Sequence, residues 1–295
     1  MWALFAFGAA FVQNLRFMLQ KHLAATGLSP AGATFARFVW SAPLVLIAVW
    51  VLMRSGGYQM PPLSARFYGF AMMGGISQIL ATVAVVKLFA HRNFAVASTF
   101  KKTETLQAAI LGVVVLGDLV SPLGWVALMV GLAGVILLSS QPMNARWNVF
   151  NGATGLGLGA GFLFGVSGVA YRAASTSVGM EGYVLRAFIT LGFVVSFQTL
   201  LMSLYLRFRE PDEIQKVLRA WKVTFFVGLF GMIGSMFWFM AFTLQNVAYV
   251  KMVGQVELIF AALGSYFFFK ERMTGRELAG IGLILASILS LITTL

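Results

Sequence analysis

Apolar residues in this chain run unbroken for about twenty positions at a time and are separated by short polar, proline- or glycine-marked breaks. A helix needs about 20 apolar residues to cross the hydrocarbon. Ten segments meet that length: 2–20, 32–53, 66–90, 94–116, 121–140, 149–171, 182–206, 222–244, 247–269 and 276–294. An outer-membrane barrel would instead show short alternating segments. The pattern therefore predicts an all-α integral membrane protein with ten transmembrane helices. Most connections are very short, such as Gly117-Asp118-Leu119 and Gln245-Asn246. Arg207–Trp221 alone is long enough for structure of its own. Pro211 suits a first helical position, Asp212 and Glu213 suit the positive end of the helix dipole, and Arg219 and Lys222 the other end. Ile214, Val217, Leu218 and Trp221 share one face, which predicts a surface helix in the headgroup plane, with a solvated linker as the alternative.

Composition narrows the class further. The chain is 60% hydrophobic and 10% charged, where soluble domains run at about 45–50% and about 25%. A soluble enzyme, a nucleic-acid-binding domain and a disordered chain are excluded. There is no cysteine, which rules out disulfides, thiolate metal sites and cysteine nucleophiles. The chain opens directly into the apolar stretch 1–11, without the basic region and small-residue site of a cleaved signal peptide.

The two halves repeat one another. Placing Asn93–Asp118 over Asn246–Glu271 pairs Asn93 with Asn246, Ala95 with Ala248, Glu104 with Glu257, Ala108 with Ala261 and Ala109 with Ala262. Asp118 and Glu271 agree in charge, and upstream Arg37 answers to Arg186. Rare intramembrane acids and arginines thus recur in the same order. The chain divides into residues 1–143 and 144–295, five spans in each, and an odd number turns the second half upside down. Two inverted five-helix repeats are the design of secondary transporters, whose site near the midplane alternates between two faces.

These residues resemble a known family. Phe35-Ala36-Arg37-Phe38 is similar to the start of the second helix in EamA-type transporters of the drug/metabolite transporter superfamily. Thr103-Glu104-Thr105 through Leu116-Gly117-Asp118-Leu119-Val120-Ser121 resembles the family's fourth helix, and Glu257-Leu258 through Lys270-Glu271-Arg272-Met273-Thr274 resembles it again. The resemblance covers both halves and implies a ten-helix metabolite transporter of unspecified substrate. Thr105 and Leu258 stand where the family often has proline, so the kink expected there is weaker or shifted.

The formal net charge is +12. Fourteen of the basic residues fall in connections or span ends, which leaves Arg16, Arg37, Lys87, Lys101, Lys102, Arg186 and Lys251 within spans, beside Glu104 and Glu257. A charge at a helix centre costs about 2.5–3.5 kcal/mol on insertion scales, so such residues face water, a ligand or one another. Arg37 and Arg186 open their spans and read as scaffold, like the loop acids Asp118 and Glu271. Lys101 and Glu104 are three apart and could form a salt bridge on one helical face; a proton- or substrate-coupled Glu104 is the alternative, with Glu257 its counterpart. Features present in one half only can serve an asymmetric ligand. Lys101, Lys102, Lys87 and Lys251 face Gly254, Gln255, Met240 and Ser98 in the other half, and Arg16 has no basic counterpart. These five, with Gln13, Gln78 and Trp238, are the expected cavity residues. Asn14 and Gln20 could add polar contacts, and Phe237-Trp238-Phe239 could equally face lipid.

Other signals carry no chemistry. The alternating glycines of 155–161 follow no strand, and Gly157, Gly161 and Gly165 instead form a ridge for close helix packing. His22 and His91 are far apart and have no metal-ligand spacing, so neither metal nor cofactor is expected. An ATP-binding motif is absent. The sequence therefore points to a secondary carrier of small anionic or zwitterionic metabolites, such as amino acids or organic acids, in a bacterial-type inner membrane. A lipid-acting membrane enzyme would have only Glu181 and His91 to use, and a channel or receptor is the third class.

Arg54, Arg66 and Arg172 lie on the side of the termini, against eleven basic residues on the other side. The positive-inside rule then puts both termini outside, whereas similar transporters keep theirs in the cytoplasm. The absence of native cysteine makes labelling direct. Single cysteines replacing Thr293 and Gln215 are expected to react with an impermeant thiol reagent from opposite sides of sealed cells.

Overall fold

The computed structural model describes residues 1–25, 27–88, 101–139, 152–260 and 274–293, and within them every regular element is helical. The helices are α1 (Trp2–Ala25), α2 (Pro30–Ser55), α3 (Ala65–Leu88), α4 (Glu104–Leu116), α5 (Pro122–Ser139), α6 (Gly152–Thr176), α7 (Tyr183–Arg209), α8 (Pro211–Arg219), α9 (Trp221–Leu244), α10 (Val247–Gly254) and α11 (Gly275–Ile292). Seven of them, α1, α2, α3, α6, α7, α9 and α11, are long and apolar enough to cross a membrane. Helices α4 and α5 are shorter, and parts of the predicted spans 94–116 and 247–269 fall outside the described residues.

The boundaries follow from local chemistry. Ser29 caps α2 by accepting from the Gly32 amide, and Pro30 occupies a first position where its missing N–H costs nothing. Gly117, at φ +69°, ends α4 in a left-handed turn, and the Gly117 and Asp118 amides donate to Val113 and Gly112. Asn246 caps α10, and Thr274 and Glu277 form a capping box at the start of α11.

Packing is reciprocal between the halves. Helix α1 lies along α9 and α3 along α6; α2 packs on α9 and α3 on α7; α4 meets α6 and α10 meets α1. Helices α2 and α7, α5 and α11, and α4 and α10, which the expected repeat would pair, also pack together, and α7 meets α9. The core therefore forms mostly between halves. Close approach at one of these contacts depends on the glycine ridge. A Cβ on Gly161 would lie 2.8 Å from the Lys101 carbonyl oxygen, so α6 can seat against the start of α4 only without a side chain there.

Each end of the bundle has a polar clasp. At the end holding the α4–α5 and α6–α7 turns, Arg172 donates to both Asp118 oxygens, at 2.6 and 3.2 Å, and to the Phe242 carbonyl at 2.9 Å. Arg172 was expected in a connection, but α6 runs one turn further and carries it into this pair. At the other end α8 buries Glu213 and Val217 against the bundle, while Leu218 and Trp221 stay outside. The apolar face expected from sequence is thus split. The reason is polar: the Glu213 carboxylate accepts the Ser29 amide at 2.8 Å and the Lys216 ammonium at 2.7 Å, and Glu210 takes the Ser29 hydroxyl.

Burial alone would raise the Glu213 carboxyl, but the bonds from Lys216 and Ser29 outweigh it and hold it below the usual carboxylate range. A pKa depressed in the folded state stabilises above the unfolded value of about 4.3 and loses that stability as pH falls through the folded value. Glu213→Gln is therefore expected to lower the melting temperature of the detergent-solubilised protein at neutral pH. Its deficit relative to the wild type should shrink as the buffer is taken below about pH 4.3.

Candidate functional site

The site forms where two helices are interrupted. A turn at Lys102 and Thr103 precedes α4, so Glu104 becomes its first residue. In the other half α10 stops at Gly254, Gln255 forms a turn, and helix resumes over 256–260 with Glu257 in its first turn. Both glutamates thus sit at a helix start, where unpaired amides favour an acid. The kink expected to be weaker or shifted is present, two to three residues before Thr105 and Leu258. It also overturns one sequence expectation. With the chain turning at 102–103, Lys101 and Glu104 do not share a helical face, and their local salt bridge is not formed.

The glutamates pair across the halves instead. Glu104 takes the Lys251 ammonium, and Glu257 takes that of Lys102 in direct contact, with Lys101 at 4.0 Å. Gln13 links this centre to α9, donating to Glu257 at 2.9 Å and accepting from the Trp238 indole at 3.1 Å. Gln255 donates to Thr105 at 3.1 Å, one more bond from half to half. Aromatic faces hold the cations: Lys251 lies 4.7 Å from the Trp238 ring centroid, and Lys101 lies 5.1 Å from that of Phe164 and 5.3 Å from that of Phe17. A cavity opens among these side chains, and a second one, sharing Gln13, Trp238 and Lys251, continues toward Gln78, Tyr171 and Ser235.

Of the cavity residues expected from sequence, Gln13, Lys101, Lys102, Glu104, Trp238, Lys251 and Glu257 line the first cavity. Gln78 lines the second, where it accepts from Tyr171 and Gln198 at 3.0 Å each. Arg16 is buried beside them and donates to Gln20 at 2.8 Å. Lys87 is a correction: it lies exposed in the last described turn of α3 and lines neither cavity. Among the scaffold residues, Arg186 donates to the Ser175 carbonyl at 3.0 Å, which ties α7 to the end of α6. Asp118 holds Arg172, whereas Glu271 lies outside the described residues. Arg37 is more than scaffold: it is buried and donates to Ser235, which lines the second cavity. The aromatic run divides, since Trp238 and Phe239 line the cavities and Phe237 packs on Phe5 and against Gly8. Tyr171, Gln198, Thr105 and Gln255 were missed. Polar residues of ordinary type in apolar helices give no signal until neighbouring helices bring them together.

Residues 152–293 match the model of the EamA-like transporter family. The match spans nearly all of the second half of the chain. The matched half contributes Trp238, Lys251, Gly254, Gln255 and Glu257 to the first cavity, and Gln13 of α1, Lys101, Lys102 and the first two residues of α4 supply the rest. A crystal structure of another protein aligns over 99% of this chain and 96% of its own, with a TM-score of 0.74 and 14% identity, so the two share a fold. None of the curated proteins matches the chain. The match and the seven described helices long and apolar enough to cross a membrane support a multi-pass membrane protein.

Breaking one partner of a buried pair strands the other as an uncompensated charge, at about 3–5 kcal/mol. Lys251→Met is therefore expected to lower the melting temperature sharply. Adding Glu104→Gln should recover most of the loss, a non-additivity that thermal melts of the two single variants and the double variant will read.

Proposed function

We propose that the chain is a secondary transporter, independent of ATP, that carries small anionic or zwitterionic metabolites across the cell inner membrane by alternating access. In this reading ten spans form two inverted halves, and export of amino acids or organic acids is the activity that fits best. The reciprocal packing supports the inverted arrangement, since the main contacts α1 with α9, α2 with α9 and α4 with α6 have counterparts with the halves exchanged, α3 with α6, α3 with α7 and α1 with α10.

One observation carries the proposal. Each buried glutamate of one half is neutralised by a lysine of the other, at helix interruptions, in a cavity between the halves. A pair that spans two rocking bodies must loosen when they rock, and a lysine so released can take a substrate carboxylate in place of its glutamate. Interrupted helices supply the free backbone groups that such sites use. The pairs also lower the cost of holding charge in a low-dielectric interior while no substrate is bound. The lack of an ATP-binding motif leaves a proton gradient, exchange or the substrate's own gradient as the driving force. Nothing favours an enzyme: Glu181 stands exposed in the α6–α7 connection, and the family is one of transporters.

Purified protein in liposomes should show saturable uptake and counterflow of carboxylate metabolites, and Lys102→Gln or Lys251→Gln should reduce the rate at least tenfold. Movement of cationic or neutral compounds only, or unchanged rates in both variants, would sink the proposal.

A further inference from the structure

Two of the buried cations have no carboxylate. Arg16 and Arg37 are 2% and 5% exposed, and no acidic residue among the described ones pairs with either. Arg16 spends one guanidinium nitrogen on Gln20, with its Cζ 4.3 Å from the Phe17 ring centroid. Arg37 spends one on Ser235 at 2.9 Å, and its Nη1 is buried with no hydrogen-bond partner. The two side chains converge on Gly231 of α9: a Cβ there would lie 2.8 Å from Arg37 Cγ and 3.6 Å from Arg16 Cδ. The backbone of α9 has been left bare where both arginines cross it.

This pair is continuous with the lysine centre. The Phe17 ring carries Arg16 on one side of the connection and Lys101, at 5.3 Å, on the other. Phe164 is likewise shared by Lys101 at 5.1 Å and Lys251 at 5.8 Å. Ser235, the partner of Arg37, lines the cavity that also reaches Lys251 and Gln13. A belt of cations therefore runs from Arg37 to Lys102, with glutamates at one end of it alone.

We infer that the Arg16–Arg37 pair is a second anion subsite, so that the molecule carried is an organic dianion with one acid on the arginines and the other on the lysine cluster. The inference rests on the transport reading above and narrows its substrate class. Charge decides between the alternatives. Arg16, Arg37, Lys101, Lys102 and Lys251 oppose Glu104 and Glu257, so the buried excess is 5 − 2 = 3 positive charges. A zwitterion leaves all three, a monoanion two and a dianion one. Arginine also suits a terminal carboxylate or phosphate, because its planar fork binds either through two parallel bonds. The unpartnered Nη1 of Arg37 supplies a donor for such a bond.

The test compares butyrate with succinate, glutarate and adipate on the purified, detergent-solubilised chain, with thermal shift as the readout and liposome uptake in parallel. At least one dicarboxylate should stabilise the wild type at a tenfold lower concentration than butyrate. Arg37→Gln should remove the dicarboxylate advantage over butyrate, and Arg37→Lys should keep part of it. Butyrate matching every dicarboxylate on the wild type overturns the second subsite, while its uptake leaves the transport proposal standing. That comparison needs no variant, so a folding defect at Arg37 cannot hide the answer. Absence of binding and uptake for all three dicarboxylates overturns the dianion inference, and the carboxylate-metabolite uptake assay above decides the transport proposal separately.

Discussion

The interaction on which the structure depends is the exchange of ion pairs between the halves. An unpaired charge in an apolar interior is expensive, and attraction to a partner offsets that cost only in good geometry. Here neither half satisfies its own acid. Glu104 needs Lys251 and Glu257 needs Lys102, so each half has an uncompensated buried charge until it meets the other. Gln13 and Gln255 extend the same dependence to hydrogen bonds, reaching Glu257 and Thr105 across the interface. Polar links of this kind hold membrane helices together where lipid removes most of the hydrophobic drive for association.

Such an exchange is possible because the backbone departs from regular helix at two places. If the segment through Lys101 and Glu104 continued as an uninterrupted helix, residues three apart would sit together and the pair would close locally. The turn at 102–103 separates them and aims Glu104 at the other half. Gly161 lets α6 approach that turn to van der Waals distance, and the aromatic faces of Trp238, Phe164 and Phe17 surround the cations. The clasps at the two ends, Arg172 on Asp118 and Glu213 on Ser29, are built from loop and helix-end residues. Charge there is cheaper to hold because water is near.

Most of the fold was legible in the chain. Eight of the ten apolar runs match described helices to within about five residues, because crossing a bilayer demands length and apolarity from consecutive positions, while 94–116 and 247–269 are broken by turns at 102–103 and 255. The site was legible in part. Intramembrane lysines and glutamates announce themselves by being rare, and seven of the expected residues do line one cavity. Lys87 misled because a lysine in the last turn of an apolar helix looks the same in sequence whether it faces a cavity or the surface. Arg172 was read as a loop charge because α6 continues past the last apolar run, held by a carboxylate 54 positions away.

The sequence by itself determined the class of molecule, the approximate spans, the twofold order of acids and arginines, and the excess of positive charge inside the spans. These follow from composition and local order, which need no knowledge of neighbours. Tertiary structure alone decided the partners. It assigned Glu104 and Glu257 each a lysine of the opposite half, brought Tyr171, Gln78 and Gln198 together, and left Arg16 and Arg37 side by side over Gly231 with no acid among the described residues. Electrostatic pairing in an apolar interior depends on distances between side chains far apart in the chain, and those exist only once the helices have packed.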